Sequence, residues 1–94
     1  MEFAFAEFTA RVAFQAGGKL NLSIVAGANK GFNDFVSYEP RQLSEHVAIL
    51  SWHEHIGTTV VHVLDLRSWQ THAFVTPGSG GFLRLLGKVS QIGA

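Results

Sequence analysis

Apolar and polar positions alternate with a period of two along most of this chain. Phe8, Ala10, Val12 and Phe14 alternate with Glu7, Thr9, Arg11 and Ala13, the pattern of a half-buried strand. Phe3 and Phe5 run in the opposite phase, which predicts a bulge near Ala6 or two short strands joined by a bend. Gln15 to Gly18 reads as a turn. Leu20, Leu22 and Ile24 then alternate with Lys19, Asn21 and Ser23. Gly27 to Asn33 reads as a loop. Phe35 to Glu39 predicts a short strand, with Pro40 ending it or marking an edge. Residues 41–46 also suit a short helical turn. Val47 to Glu54 and Thr58 to Leu66 form a predicted hairpin about Ile56-Gly57. Arg67 to Trp69 is the next turn, and Gln70 to Thr76 the next strand. After the Pro77-Gly81 loop comes a last strand, Phe82 to Ile92, with Gly87 as a bulge or bend. The Phe82, Leu83, Leu85, Leu86 and Val89 spacing also fits a helical face.

Seven or eight short strands in a meander predict an all-β chain: a small antiparallel up-and-down β-barrel forming a single domain over residues 1–94. Closure suits a chain with few charges, because it removes the strand edges that charges would otherwise protect.

The hairpin raises the chemical question. A two-residue loop at Ile56-Gly57 would pair Glu54 with Thr59 and Trp52 with Val61. Leu50, Trp52, Glu54, Thr59, Val61 and Val63 would then share one face, the better candidate for the interior. Ile49, Ser51, His53, His55, Val60, His62 and Leu64 would share the other. A loop longer by one residue would change the pairing but not the alternation within each strand. An inward Glu54 beside Trp52 is costly unless it is paired or used. Desolvation would raise its proton affinity, which suits acid–base work or a ligand's polar group. At a strand end, Glu54 equally suits a water-facing role.

Composition narrows the classes. Of 94 residues 47% are hydrophobic and 15% charged, and the net charge is zero. That favours a small packed core and gives no basic field for nucleic acid. Low charge favours association, so a homodimer is expected. Without cysteine there is no disulfide, thiolate metal site or cysteine nucleophile. No signal-peptide pattern and no long apolar run is present, so the expectation is a cytoplasmic protein without a membrane partner. No cofactor motif is present.

The run Ser51-Trp52-x-Glu54-x-x-Gly57-Thr58-x-Val60, continuing to His72 and Pro77, resembles a hairpin of the phenolic acid decarboxylases and of the MoaF-like proteins. Both are calycin (lipocalin-like) barrels. Thr59 to Val63 leans to the MoaF-like side. Ala13 to Val25 is similar to the first hairpin of that barrel, and Phe82 to Ile92 to its closing strand. The resemblance implies a catalytic, proton-handling role for Glu54 in a decarboxylase. The substrate-binding tyrosines of those enzymes are absent, with Val12 and Phe14 on the first strand instead, and their arginine is not carried over to Arg41. The MoaF-like reading is therefore preferred, with its association with molybdenum cofactor genes.

The leading expectation is a small, partly apolar ligand in the barrel. Trp52 would be the wall, Glu54 the anchor, and Tyr38, Arg41 and His72 helpers. The alternatives are an enzyme using Glu54 as general acid or base, and a ligand-free dimeric interaction module. His53-x-His55 with His62 has metal-like spacing but no evident fourth ligand, so no metal site is assigned. Gly78 to Gly81 reads as a flexible loop. Ser51 lacks the glycines of a nucleophile elbow. Trp69, in a turn, suits a contact surface.

Overall fold

The computed structural model describes residues 1–91, and the last residue of the predicted final strand, Ile92, lies outside them. Among the described residues eight strands follow one another: β1 Glu2–Ala4, β2 Phe8–Gln15, β3 Lys19–Gly27, β4 Asn33–Gln42, β5 Val47–His53, β6 Thr59–Asp65, β7 Gln70–Thr76 and β8 Leu83–Ser90. Each pairs antiparallel with the next, and β1 also pairs with β8, so the sheet closes as a barrel. The strands thus leave no free edge. No helix among the described residues is long and apolar enough to cross a membrane.

Local chemistry explains most boundaries. The phase change between Phe5 and Phe8 is a bend joining two short strands. The bulge lies elsewhere: Thr9 pairs with Ala26 and Ala10 with Ile24, leaving Val25 unmatched on β3. Gly27 follows, at φ 80°, where a Cβ would lie 2.4 Å from the Glu7 carbonyl oxygen.

Pro40 does not end its strand. β4 runs from Asn33 to Gln42, longer than the predicted Phe35 to Glu39, and residues 43–46 are non-helical. Tyr38 donates its N–H to the carbonyl of Gly18, in the turn just before β3, 2.9 Å away. Position 40 points its nitrogen the same way, beyond the last β3 partner, so the missing donor breaks no ladder bond.

The final segment is a strand, as predicted. It has no bulge at Gly87, since the β7–β8 register is continuous. Gly87 faces inward beneath the Phe5 ring, whose nearest atoms lie 2.7 Å from where a Cβ would be.

The inward side chains divide the barrel lengthwise. At the end of the β2–β3, β4–β5 and β6–β7 turns, Val12, Leu20, Leu50 and Leu64 fill the interior. At the other end the four remaining loops (residues 5–7, 28–32, 54–58 and 77–82) surround an opening.

Candidate functional site: a cavity at the open end of the barrel

The opening leads into a cavity of about 390 Å³. Its walls are mostly apolar, with Phe3, Phe5, Phe8, Phe32 and Trp52 among them. Its polar side chains are Glu54, Thr58, His62 and Asn29.

Trp52 and Glu54 both point inward, 6% and 8% exposed. The indole Nε1–H donates to Glu54 Oε2 at 3.0 Å. This bond repays part of the cost of burying the carboxylate. Burial still pushes the Glu54 carboxyl above its ordinary range. The Trp52 bond opposes the rise, the nearby Asp34 charge adds to it, and His53 opposes it. Glu54 is thus a carboxyl beside the mouth that holds its proton more tightly than usual.

The hairpin carrying it has a longer loop than the two-residue one predicted. Trp52 pairs with Val60 and His53 with Thr59. Glu54 donates its N–H to the Thr58 carbonyl at 2.7 Å, and the Gly57 N–H bonds back to the Glu54 carbonyl at 2.9 Å. Gly57, at φ 91°, supplies the left-handed residue that closes a three-residue loop. The extra residue leaves the phase of β5 alone and reverses that of β6. Val60, His62 and Leu64 are therefore buried inside, while Val61 and Val63 take the outer phase.

His62 is the principal correction. The two-residue loop predicts it beside His53 and His55 on the outer face, whereas it lies 3% exposed at the inner end of the cavity. Its ring stacks between Phe3 (centroids 4.4 Å apart) and Trp52 (5.2 Å). Nδ1 lies 2.8 Å from the hydroxyl of fully buried Thr71. Burial lowers its proton affinity from 6.5 to about 4, so the imidazole is neutral at pH 7. The three histidines do not converge, and among the described residues no group of three or more His, Asp or Glu is placed to hold a metal ion.

The other expected helpers are not brought into the cavity. Tyr38 pairs directly with Trp52 and packs on the core, but toward the filled end, against Phe14. Arg41 is exposed, in the outward phase between Pro40 and Gln42, opposite Ile49. His72 is exposed between the inward Thr71 and Ala73.

One residue at the mouth carried no sequence signal. Asp34 accepts bonds from the His55 N–H at 2.9 Å and lies 2.8 Å from His55 Nδ1. It thereby ties β4 to the Glu54 loop. Partial burial opposes its charge, but the His55 bonds and the Phe35 N–H outweigh that and hold its carboxyl below the ordinary range.

No curated protein matches the chain. A crystal structure from Burkholderia vietnamiensis, described as a "putative beta-lactamase", matches with a TM-score of 0.92 and 26% identity, over 97% of this chain and 89% of that one. The MoaF-like family model matches residues 1–90. That span takes in all eight strands and every residue of the cavity, so the chain belongs to the MoaF-like family.

Proposed function

We propose that the barrel binds a small, partly apolar molecule through its open end. Trp52 forms the wall and Glu54 the polar anchor. The observation that carries this is the cavity itself: about 390 Å³, walled by aromatic side chains, with a buried carboxyl at its mouth. Cavities of this size and lining are the usual form of small-molecule sites. The family's association with molybdenum cofactor genes supplies the metabolic setting. A homodimer belongs to the same reading, supported by exposed Phe35, Phe82 and Leu86 on the outer surface.

A second reading, an enzyme using Glu54 as general acid or base, draws on the raised proton affinity of that group. An aromatic acid suits it poorly as substrate, because among the described residues no Lys or Arg lines the cavity to hold a carboxylate. The β-lactamase description of the similar structure does not transfer on a serine basis. Among the described residues no serine lines the cavity, and no serine in the sequence has a lysine three residues on.

Native mass spectrometry of the freshly purified protein, beside Glu54→Gln, tests the proposal. The expected result is an organic mass retained by the parent chain and weakened in the variant. Bare chains in both, with no saturable binding of N-phenyl-1-naphthylamine, would overturn it in favour of a ligand-free interaction module. The unfolding midpoint of Glu54→Gln adds an independent check. A carboxyl whose proton affinity is raised by folding loses stability as pH rises through its folded value. The variant should therefore gain up to about 1 kcal/mol over the parent at pH 7, and nothing below pH 4.

A further inference from the structure

We infer that the molecule taken by this cavity is flat, uncharged at its leading end, and enters with a carbonyl oxygen that accepts a hydrogen bond from His62 Nε2–H. The inference rests on the binding role proposed above and narrows it to a ligand class.

The His62 ring cannot turn away. Phe3 and Trp52 stack on its two sides at interplanar angles of 28° and 24°, and Thr71 holds Nδ1. The fully buried Thr71 hydroxyl has Nδ1 as its one hydrogen-bond partner among the described residues, so its hydrogen has no other acceptor there. It therefore donates its hydrogen there, and the neutral imidazole carries its own proton on Nε2. That Nε2–H has no protein acceptor among the described residues. Among the described residues no fully buried side-chain polar atom lacks a partner, so Nε2 reaches the open space of the cavity. A fixed donor facing an apolar chamber is unfavourable until something accepts from it.

Charge selects the acceptor. His62 stays neutral well below pH 7, and among the described residues Glu54 is the one charged side chain lining the chamber. A carboxylate or phosphate pushed to the inner end would be desolvated with no counter-charge and would pass Glu54 on the way. A neutral ketone, aldehyde, amide or quinone oxygen has no such penalty. The aromatic walls favour a planar body, which stacks or meets them edge to face.

Two matched probes test this: 2-acetylnaphthalene and 2-ethylnaphthalene, titrated by calorimetry into the parent protein, His62→Leu and His62→Gln. Taking the ketone-to-hydrocarbon affinity ratio within each protein cancels the probes' different solubilities. That ratio should fall about 5–10-fold in His62→Leu and partly recover in His62→Gln, which restores an N–H. The infrared carbonyl stretch of the bound ketone in the parent protein should lie below its value in hexane, a readout available even if a variant fails to fold. An unchanged ratio with no shift of the stretch overturns the inference and leaves the binding role standing. So does 2-naphthoate bound as tightly as the ketone. If neither probe binds the parent protein while N-phenyl-1-naphthylamine does, the inference falls and the binding role stands; if none of the three binds and no organic mass is retained, both fall.

Discussion

Along β2 and β3 the packing changes from one end of the barrel to the other. At the filled end Val12 and Leu20 are 2% and 0% exposed and meet Leu50 and Leu64 across the interior. At the open end Phe8 and Ile24, in the same phase of the same strands, stand around a cavity. Hydrophobicity does not separate the two ends, but side-chain size and loop placement do. Ala10, Ala28 and Ala73 put methyl groups on the cavity wall where the filled end has Val and Leu. Three of the four buried polar side chains, Glu54, Thr58 and His62, line the cavity, and the fourth, Thr71, is bonded to His62. One end supplies stability, and the other holds the groups that stability makes possible.

Truncation should show the largest contrast. Leu20→Ala would open a new void in the filled end and cost about 2–5 kcal/mol. Leu85→Ala, on a wall that already borders open space, should cost about 1 kcal/mol or less. Urea unfolding of the two variants checks the pair, and equal losses would break the comparison.

Acidification should act next, through His62. Its folded proton affinity, about 4, lies below the unfolded 6.5. Between those values the unfolded chain takes up a proton that the native chain refuses, so stability falls with pH by about 3 kcal/mol at most, most of it gone by pH 4. Glu54 works in the opposite sense, because its raised carboxyl regains stability once protonated. Unfolding midpoints at pH 7 and pH 4.5 measure the sum. The His62 Cε1–H resonance isolates the histidine, and titration near pH 6.5 would rule out the buried stack between Phe3 and Trp52.

These effects also show which parts of the molecule were legible in the sequence. Period-two alternation with turn signals suffices for a closed all-β meander, since few other arrangements bury so many inward positions. Trp52 and Glu54 share a face whatever the loop does, because they lie two apart on one strand. His62 depended on the loop. Two- and three-residue hairpins both accept Gly57, and one extra residue carries every β6 side chain across the sheet. Residue type suggests Arg41 and His72 for the site but carries no phase, and their strands turn them outward. Asp34 had no signal at all. Its role arises from a contact between β4 and a loop 21 residues away, which no local pattern records.

Asp34 also gives the smallest and sharpest test of the comparison. Its carboxylate fastens the Glu54 loop through the His55 backbone and ring, and its charge helps raise the proton affinity of Glu54. His55 is largely exposed, so the attachment contributes little to global stability. Asp34→Asn should lower stability at pH 7 by about 1 kcal/mol or less. Because folding depresses the Asp34 carboxyl, the parent's contribution is present above pH 3.8 and is lost as pH falls through the lower folded value. The Asn variant should lack that acid step. Its Glu54 side-chain carboxyl should titrate at lower pH than in the parent, as followed by carbon-detected NMR. A small global loss with a clear shift at Glu54 would mark the mouth as a tunable rim on a separately stable core. A loss as large as that of Leu20→Ala would mean that the rim and the filled end unfold as one unit.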